Sequence, residues 1–75
     1  MSKYVYNEAE FNKKYDTYYN LVYRAAYQYL FNIEIAEDVT QEAFVKLLTC
    51  NKKFNDDEHE KAWLLRVTIN LCKNI

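Results

Sequence analysis

Residues 36–48 read AEDVTQEAFVKLL. Val39, Ala43, Phe44, Leu47 and Leu48 recur at three- and four-residue steps, the spacing of a helix with one buried stripe. Asp38, Gln41, Glu42 and Val45 recur at the same steps on another side. The stretch is therefore an amphipathic helix. Its second face gathers a carboxylate, an amide and a second carboxylate into one row, and such a row faces either water or a partner.

Working outward, this helix extends from about Ile33 to Thr49. Glu34 and Glu37 near its start suit the positive end of the helix dipole. Glu42 and Lys46 have the spacing of an i,i+4 ion pair. Asn32 either ends the preceding helix or caps this one. That preceding helix runs from about Glu8 to Phe31, roughly 36 Å at 1.5 Å per residue. Asn7 caps it, with Glu10 at capping-box spacing. Phe11, Tyr15, Tyr18, Val22, Ala25 and Tyr29 form its buried stripe, and Tyr19, Tyr23, Ala26 and Leu30 form a second row beside it.

On the other side, CNKKFNDDEH, residues 50–59, breaks the periodicity and reads as a loop. A third helix runs from about Glu58 to Ile75, with Asp57/Glu60 or Asn55/Glu58 offering its capping box. Leu64, Val67, Leu71 and Ile75 make one row, with Leu65, Ile69 and Cys72 beside it. Trp63, Arg66, Asn70 and Lys73 lie opposite. Short connections make neighbouring helices antiparallel, so the expected fold is all-α: a compact three-helix bundle of about 8–31, 33–49 and 58–75.

Composition sets the limits. Seventy-five residues make one domain, and a chain this short buries only about 60% of its unfolded surface. Half of it is hydrophobic, and eight tyrosines supply much of the apolar area, each needing a partner for its hydroxyl when buried. Gly and Pro are absent, which argues against tight hairpins, phosphate loops and a Rossmann crossover. Asparagine is left to make the turns. Cys50 and Cys72 are too far apart for a CxxC motif, and His59 is the single histidine, so neither a metal nor a cofactor is expected.

No apolar run approaches the ~20 residues that span a bilayer, and MSKYVYNEAE lacks the apolar centre of a signal peptide. A cytoplasmic protein with no membrane partner is expected. Net charge is −1, but its distribution is uneven. Residues 32–49 carry four acids against one lysine, whereas the last helix is basic along most of its length.

Three blocks in order, FNKKYDTYYNLVYRAAYQYL, AEDVTQEAFVKLL and KAWLLRVTINLCKN, resemble region 2 of bacterial RNA polymerase sigma factors, sigma-70 family, extracytoplasmic-function (ECF) type. The resemblance covers about Phe11 to Asn74. It implies a non-enzymatic transcription initiation domain in which the middle helix docks on the β′ clamp helices of the polymerase core. The loop and last helix would recognise and help melt the −10 promoter element, capturing an unpaired non-template base. An anti-sigma factor is a further implied partner. By matching position, Asp38, Gln41, Glu42 and Lys46 are the polymerase-facing residues. Acceptors in a row suit basic side chains of a partner.

For DNA, the loop offers Asn51, Lys52, Lys53, Phe54 and Asn55, and the last helix offers Lys61, Arg66, Asn70 and Lys73. Lysines attract phosphates, asparagine reads base edges and an exposed Phe stacks on an unpaired base. Phe54 and Trp63 are each either core or DNA-facing, and Asn70 is either a base reader or a structural hydrogen-bonder. Thr40 and Thr68 stand where the family has apolar or small residues. The −35-reading domain is absent, so the 75 residues read as a single region 2 domain, a fragment of a longer chain. The alternative role is a helical adaptor or anti-sigma-binding module that keeps the fold without promoter activity.

Overall fold

The computed structural model describes residues 4–75; the first three residues of MSKYVYNEAE, the stretch without a signal peptide's apolar centre, lie outside the described residues. Among the described residues there are three helices and no strand: α1 (Glu8–Leu30), α2 (Ile33–Thr49) and α3 (Asp57–Lys73). Each start follows from a side chain that satisfies an orphan backbone N–H. Asn7 Oδ1 accepts the Glu10 N–H at 2.8 Å while Glu10 Oε1 accepts the Asn7 N–H at 2.9 Å, closing the expected capping box. Asn32 takes the second of its two possible roles, accepting the Ile35 N–H at 2.9 Å as the cap of α2.

Two boundaries differ from expectation. The left-handed residue that ends α1 is Phe31 (φ 54°, ψ 35°), whose N–H donates to the Tyr27 carbonyl at 2.7 Å. Asn32 is not free for that position because it caps α2 from an extended backbone. Asparagine does make the other left-handed turn, at Asn51 (φ 55°). At α3 neither predicted capping box forms. Asp56 is the cap, accepting the His59 N–H at 2.8 Å, and Glu60 turns into the bundle instead. The helix ends at Lys73, where Asn74 N–H donates to the Leu71 carbonyl at 3.2 Å.

The start of α3 meets the start of α1 through Lys14 and Tyr18, while Cys72 near its end packs with Ala26 and with Ala36 of α2. α1 and α3 therefore run parallel, with α2 antiparallel to both. Phe44 is the largest fully buried side chain, seated with Tyr18, Val22, Ala43, Leu47 and Leu64. Burying a side chain of that size contributes about 2–3 kcal/mol.

The buried row of α3 is Glu60, Leu64, Thr68 and Cys72, a four-residue step that includes two polar residues and leaves Ile75 exposed. Thr68 and Thr40 are tolerated at zero exposure because each hydroxyl donates to the carbonyl four residues back, Leu64 and Ala36, at 2.8 and 2.7 Å. On α1, Tyr29 is 48% exposed rather than in the stripe. An unbroken i,i+4 row of rings, Phe11, Tyr15, Tyr19, Tyr23, Tyr27 and Phe31, explains the difference between the two ends of this helix. Four residues advance about 40° beyond a full turn. The row starts against Phe44, with Tyr15 at 4.7 Å, and ends on the surface at Phe31, 76% exposed.

Candidate functional site

The outer face of α2 carries Asp38, Gln41, Glu42, Val45 and Lys46, all exposed. None of the first four lies inside the bundle. Gln41 Nε2 donates to the Tyr15 hydroxyl at 2.8 Å, which fixes the amide at the seam between α2 and α1. The expected Glu42–Lys46 pair does not form: the ion pairs among the described residues are Lys14–Asp57, Lys14–Glu60 and Lys61–Glu58. An exposed pair gains little against the entropy of holding two long side chains. The carboxylates of Asp38 and Glu42 therefore stay available to an incoming group.

The second surface is a cleft of about 830 Å³ between the first half of α1 and the α2–α3 loop. Lys52, Lys53, Phe54, Asn55 and the cap Asp56 line it from the loop, Glu10, Lys13, Lys14 and Thr17 from α1, and Asp57 and Glu60 from the start of α3, so its lysines are interleaved with acids. The α1 residues were not legible as partners of the loop, because nothing in their spacing links positions about forty residues apart. Phe54 holds the loop in place. It is half-buried on the core, 5.2 Å from the His59 ring and 5.5 Å from Trp63, itself packed against the same core. His59 Nδ1 accepts the Asn55 N–H at 3.3 Å, and Lys52 Nζ sits 6.0 Å over the Trp63 ring. Phe54 and Trp63 are thus core-edge residues, with Phe54 also facing the cleft.

The remaining predicted DNA residues are not in the cleft. Arg66, Asn70 and Lys73 are exposed along α3, opposite its buried row, and Asn51 is exposed at the turn. Lys61 is engaged with Glu58 at 3.3 Å. Among the described residues Lys13, Lys52 and Lys53 are in no ion pair, so they are the cleft's available cations.

Beneath the cleft lies a group that sequence spacing assigned only to a cap. Glu60 is 3% exposed. Its carboxylate accepts hydrogen bonds from the Tyr6 hydroxyl, from the Tyr18 hydroxyl at 3.1 Å and from Lys14 Nζ at 2.9 Å. Lys14 also reaches Asp57 at 3.2 Å. Burial and the Glu60 charge push the Tyr18 phenol up to about 12, and burial with the Glu60 hydrogen bond pushes Tyr6 higher still. The hydrogen bond to Glu60 raises Lys14 against the opposing effect of its own burial. Burial alone raises the Cys72 thiol. Both cysteines are free, and no three His, Cys, Asp or Glu side chains among the described residues form a metal-holding group. No described helix is long and apolar enough to cross a membrane.

Residues 15–75 match the family of Sigma-70 region 2. The chain belongs to that family. It is 34% identical over 56 residues to "ECF RNA polymerase sigma factor SigW" of Bacillus subtilis (strain 168), a match covering 75% of this chain and 30% of that protein. The likeness assigns this sigma-70 region 2 to the ECF type, and the chain spans less than a third of its relative's length. No solved structure matches the chain. The match begins at Tyr15, so all of the cleft's α1 lysines lie ahead of it.

Proposed function

We propose that this domain acts in transcription initiation, with α2 binding the β′ clamp helices of the RNA polymerase core. In this role the cleft and the α3 face take the −10 promoter element. Asp38, Gln41 and Glu42 are the docking row, with Lys46 at its edge. Charge-assisted bonds from these acceptors to Arg or Lys of the clamp supply the strong contacts. The non-template strand enters the cleft, where Lys13, Lys52 and Lys53 neutralise phosphate and Asn55 presents a side-chain amide to a base edge. Arg66, Asn70 and Lys73 continue that track along α3, and Asn51 stands at the loop's turn. Binding the unpaired strand better than the duplex shifts the melting equilibrium without any bond being made or broken. The domain works as a subunit, not an enzyme, in the cytoplasm with the polymerase, and an anti-sigma factor covering these surfaces is the regulatory partner.

The observation that carries this role is segregation. Acceptors stand on one exposed face of α2, while unpaired lysines stand around a cleft on another part of the surface. The test has two arms. Gln41→Ala with Glu42→Ala should abolish capture by the β′ clamp helices while helical circular dichroism stays unchanged. Lys52→Glu with Lys53→Glu should lower open-complex formation more than polymerase binding. Unchanged capture in the first arm, or equal loss in both assays of the second, overturns the assignment.

A further inference from the structure

A charged carboxylate at 3% exposure is an unusual resident of a 75-residue bundle. Buried ion pairs seldom stabilise a fold more than apolar residues of the same shape. Glu60 does something an apolar residue cannot: it collects donors from separate parts of the chain. Lys14 and Tyr18 come from α1, and Tyr6 comes from the short segment ahead of that helix. Val5 and Tyr6 line the same cleft as Lys13, Lys14 and the loop lysines. Tyr6 lies in no helix. Its ring leans on the core cluster, and its hydroxyl is fixed by Glu60. Tyr6 and Lys14 both precede the residues matched to Sigma-70 region 2.

We propose that the segment Val5–Tyr6 is a fixed wall of the nucleic-acid cleft, latched by the buried Glu60 carboxylate, and that Tyr6 and Glu60 are positioning residues for the strand received there. This rests on the nucleic-acid role proposed for the cleft. Two consequences of unlatching have the same sign. The cleft loses one side, and a carboxylate short of a donor is left facing the path of a phosphate-bearing strand. Glu60 keeps Lys14 and Tyr18 when Tyr6 is unlatched, but a buried carboxylate that loses one of its three donors is costly to leave under-satisfied. The cleft's lining holds Glu10, Asp56, Asp57 and Glu60 as well as its lysines, and each of these acids is bonded within the protein, Glu60 through the latch, which leaves Lys13, Lys52 and Lys53 as its unpaired charges among the described residues.

The test compares the 75-residue chain with its Tyr6→Phe and Glu60→Gln variants. The Phe variant keeps the ring and deletes only the latch hydroxyl, so it retains the fold if Glu60→Gln does not. Two probes are titrated below the melting temperature of each variant: a fluorescein-labelled single-stranded DNA pool randomised over twelve positions, and the β′ clamp helices. Amide hydrogen exchange is followed across residues 5–7. Tyr6→Phe should weaken single-stranded DNA by roughly five-fold, the loss of about one hydrogen bond's worth of positioning. Clamp-helix affinity should stay unchanged, and exchange at residues 5–7 should accelerate. Unchanged DNA affinity, unchanged exchange, or a parallel loss toward both probes overturns the latch. A wild-type chain that binds the clamp helices but not DNA overturns the role of the cleft, and the latch with it. Wild-type DNA binding that Tyr6→Phe leaves intact overturns the latch alone.

Discussion

Phe31 ends α1 in a conformation that suits glycine, and its replacement gives a sharp test of how this bundle is held. A residue with a Cβ in the left-handed region is disfavoured by roughly 1–2 kcal/mol. The ring recovers little of this, being 76% exposed with Tyr27 as its neighbour at 6.1 Å. Phe31→Ala loses that contact and keeps the Cβ penalty. Phe31→Gly loses the contact and the penalty together. The glycine variant should therefore be the more stable of the two by about 1 kcal/mol, after allowing for the greater freedom of glycine in the unfolded chain. For a domain of this size that is a melting-temperature gap of about 4–8 °C.

The control is Gln28, exposed within α1, where the order should invert and Gly should fall about 1 kcal/mol below Ala. Thermal melts followed by helical circular dichroism at one pH decide the matter for all four variants. Alanine equal to or above glycine at position 31 refutes the claim that the α1–α2 corner carries backbone strain.

Two further outcomes follow from the Glu60 network and the cleft. Tyr18, held up at about 12, and Tyr6 and Lys14, also raised, contribute stability that is complete below pH 10. That contribution drains away as pH climbs through the folded values. Urea midpoints should be level up to about pH 9 and fall between about pH 10 and 12, with a shallower fall in Tyr18→Phe; a flat profile to pH 12 contradicts this. With Lys13, Lys52 and Lys53 as the unpaired cations, single-stranded DNA affinity should fall with salt at a log–log slope of about −2. Lys52→Glu with Lys53→Glu should remove more than half of that slope, and an unaltered slope places the strand elsewhere.

Local signals were legible and distant ones were not. Asn7 and Glu10 announce the start of α1 because both members of a capping box sit within one turn. The two faces of α2 are legible because its polar and apolar residues repeat with the helical period, and the structure exposes the first and buries most of the second. The register of α3 is misread by counting apolar residues, since Glu60 and Thr68 stand in its buried row. The burial of Glu60 depends on Tyr6 and Tyr18, 54 and 42 positions away, which no local pattern contains. Phe31 escapes for a related reason: the residue best suited to its turn, Asn32, is already committed to the next helix. The cleft's far wall escapes because Lys13 and Thr17 are exposed and read as an ordinary wet face of α1, and only the tertiary fold brings them to the same cleft as the loop.

The two proposed binding surfaces share one scaffold, and the structure limits how strongly they can influence one another. Asp38 and Glu42 bond to no residue of the cleft, and the docking row reaches α1 through the single hydrogen bond from Gln41 to Tyr15. Tyr15 is beside Lys14 in sequence but donates nothing to the Glu60 network. Free energies of distant sites without shared partners add within about 0.5 kcal/mol. A variant combining Gln41→Ala, Glu42→Ala, Lys52→Glu and Lys53→Glu should therefore lose clamp-helix binding as the first pair does and DNA binding as the second pair does. Neither loss should deepen the other. A coupling above about 1 kcal/mol in either titration means that α1 transmits the state of one surface to the other. The Gln41–Tyr15 bond is then the first place to cut, since Tyr15→Phe removes that link while leaving both surfaces chemically intact.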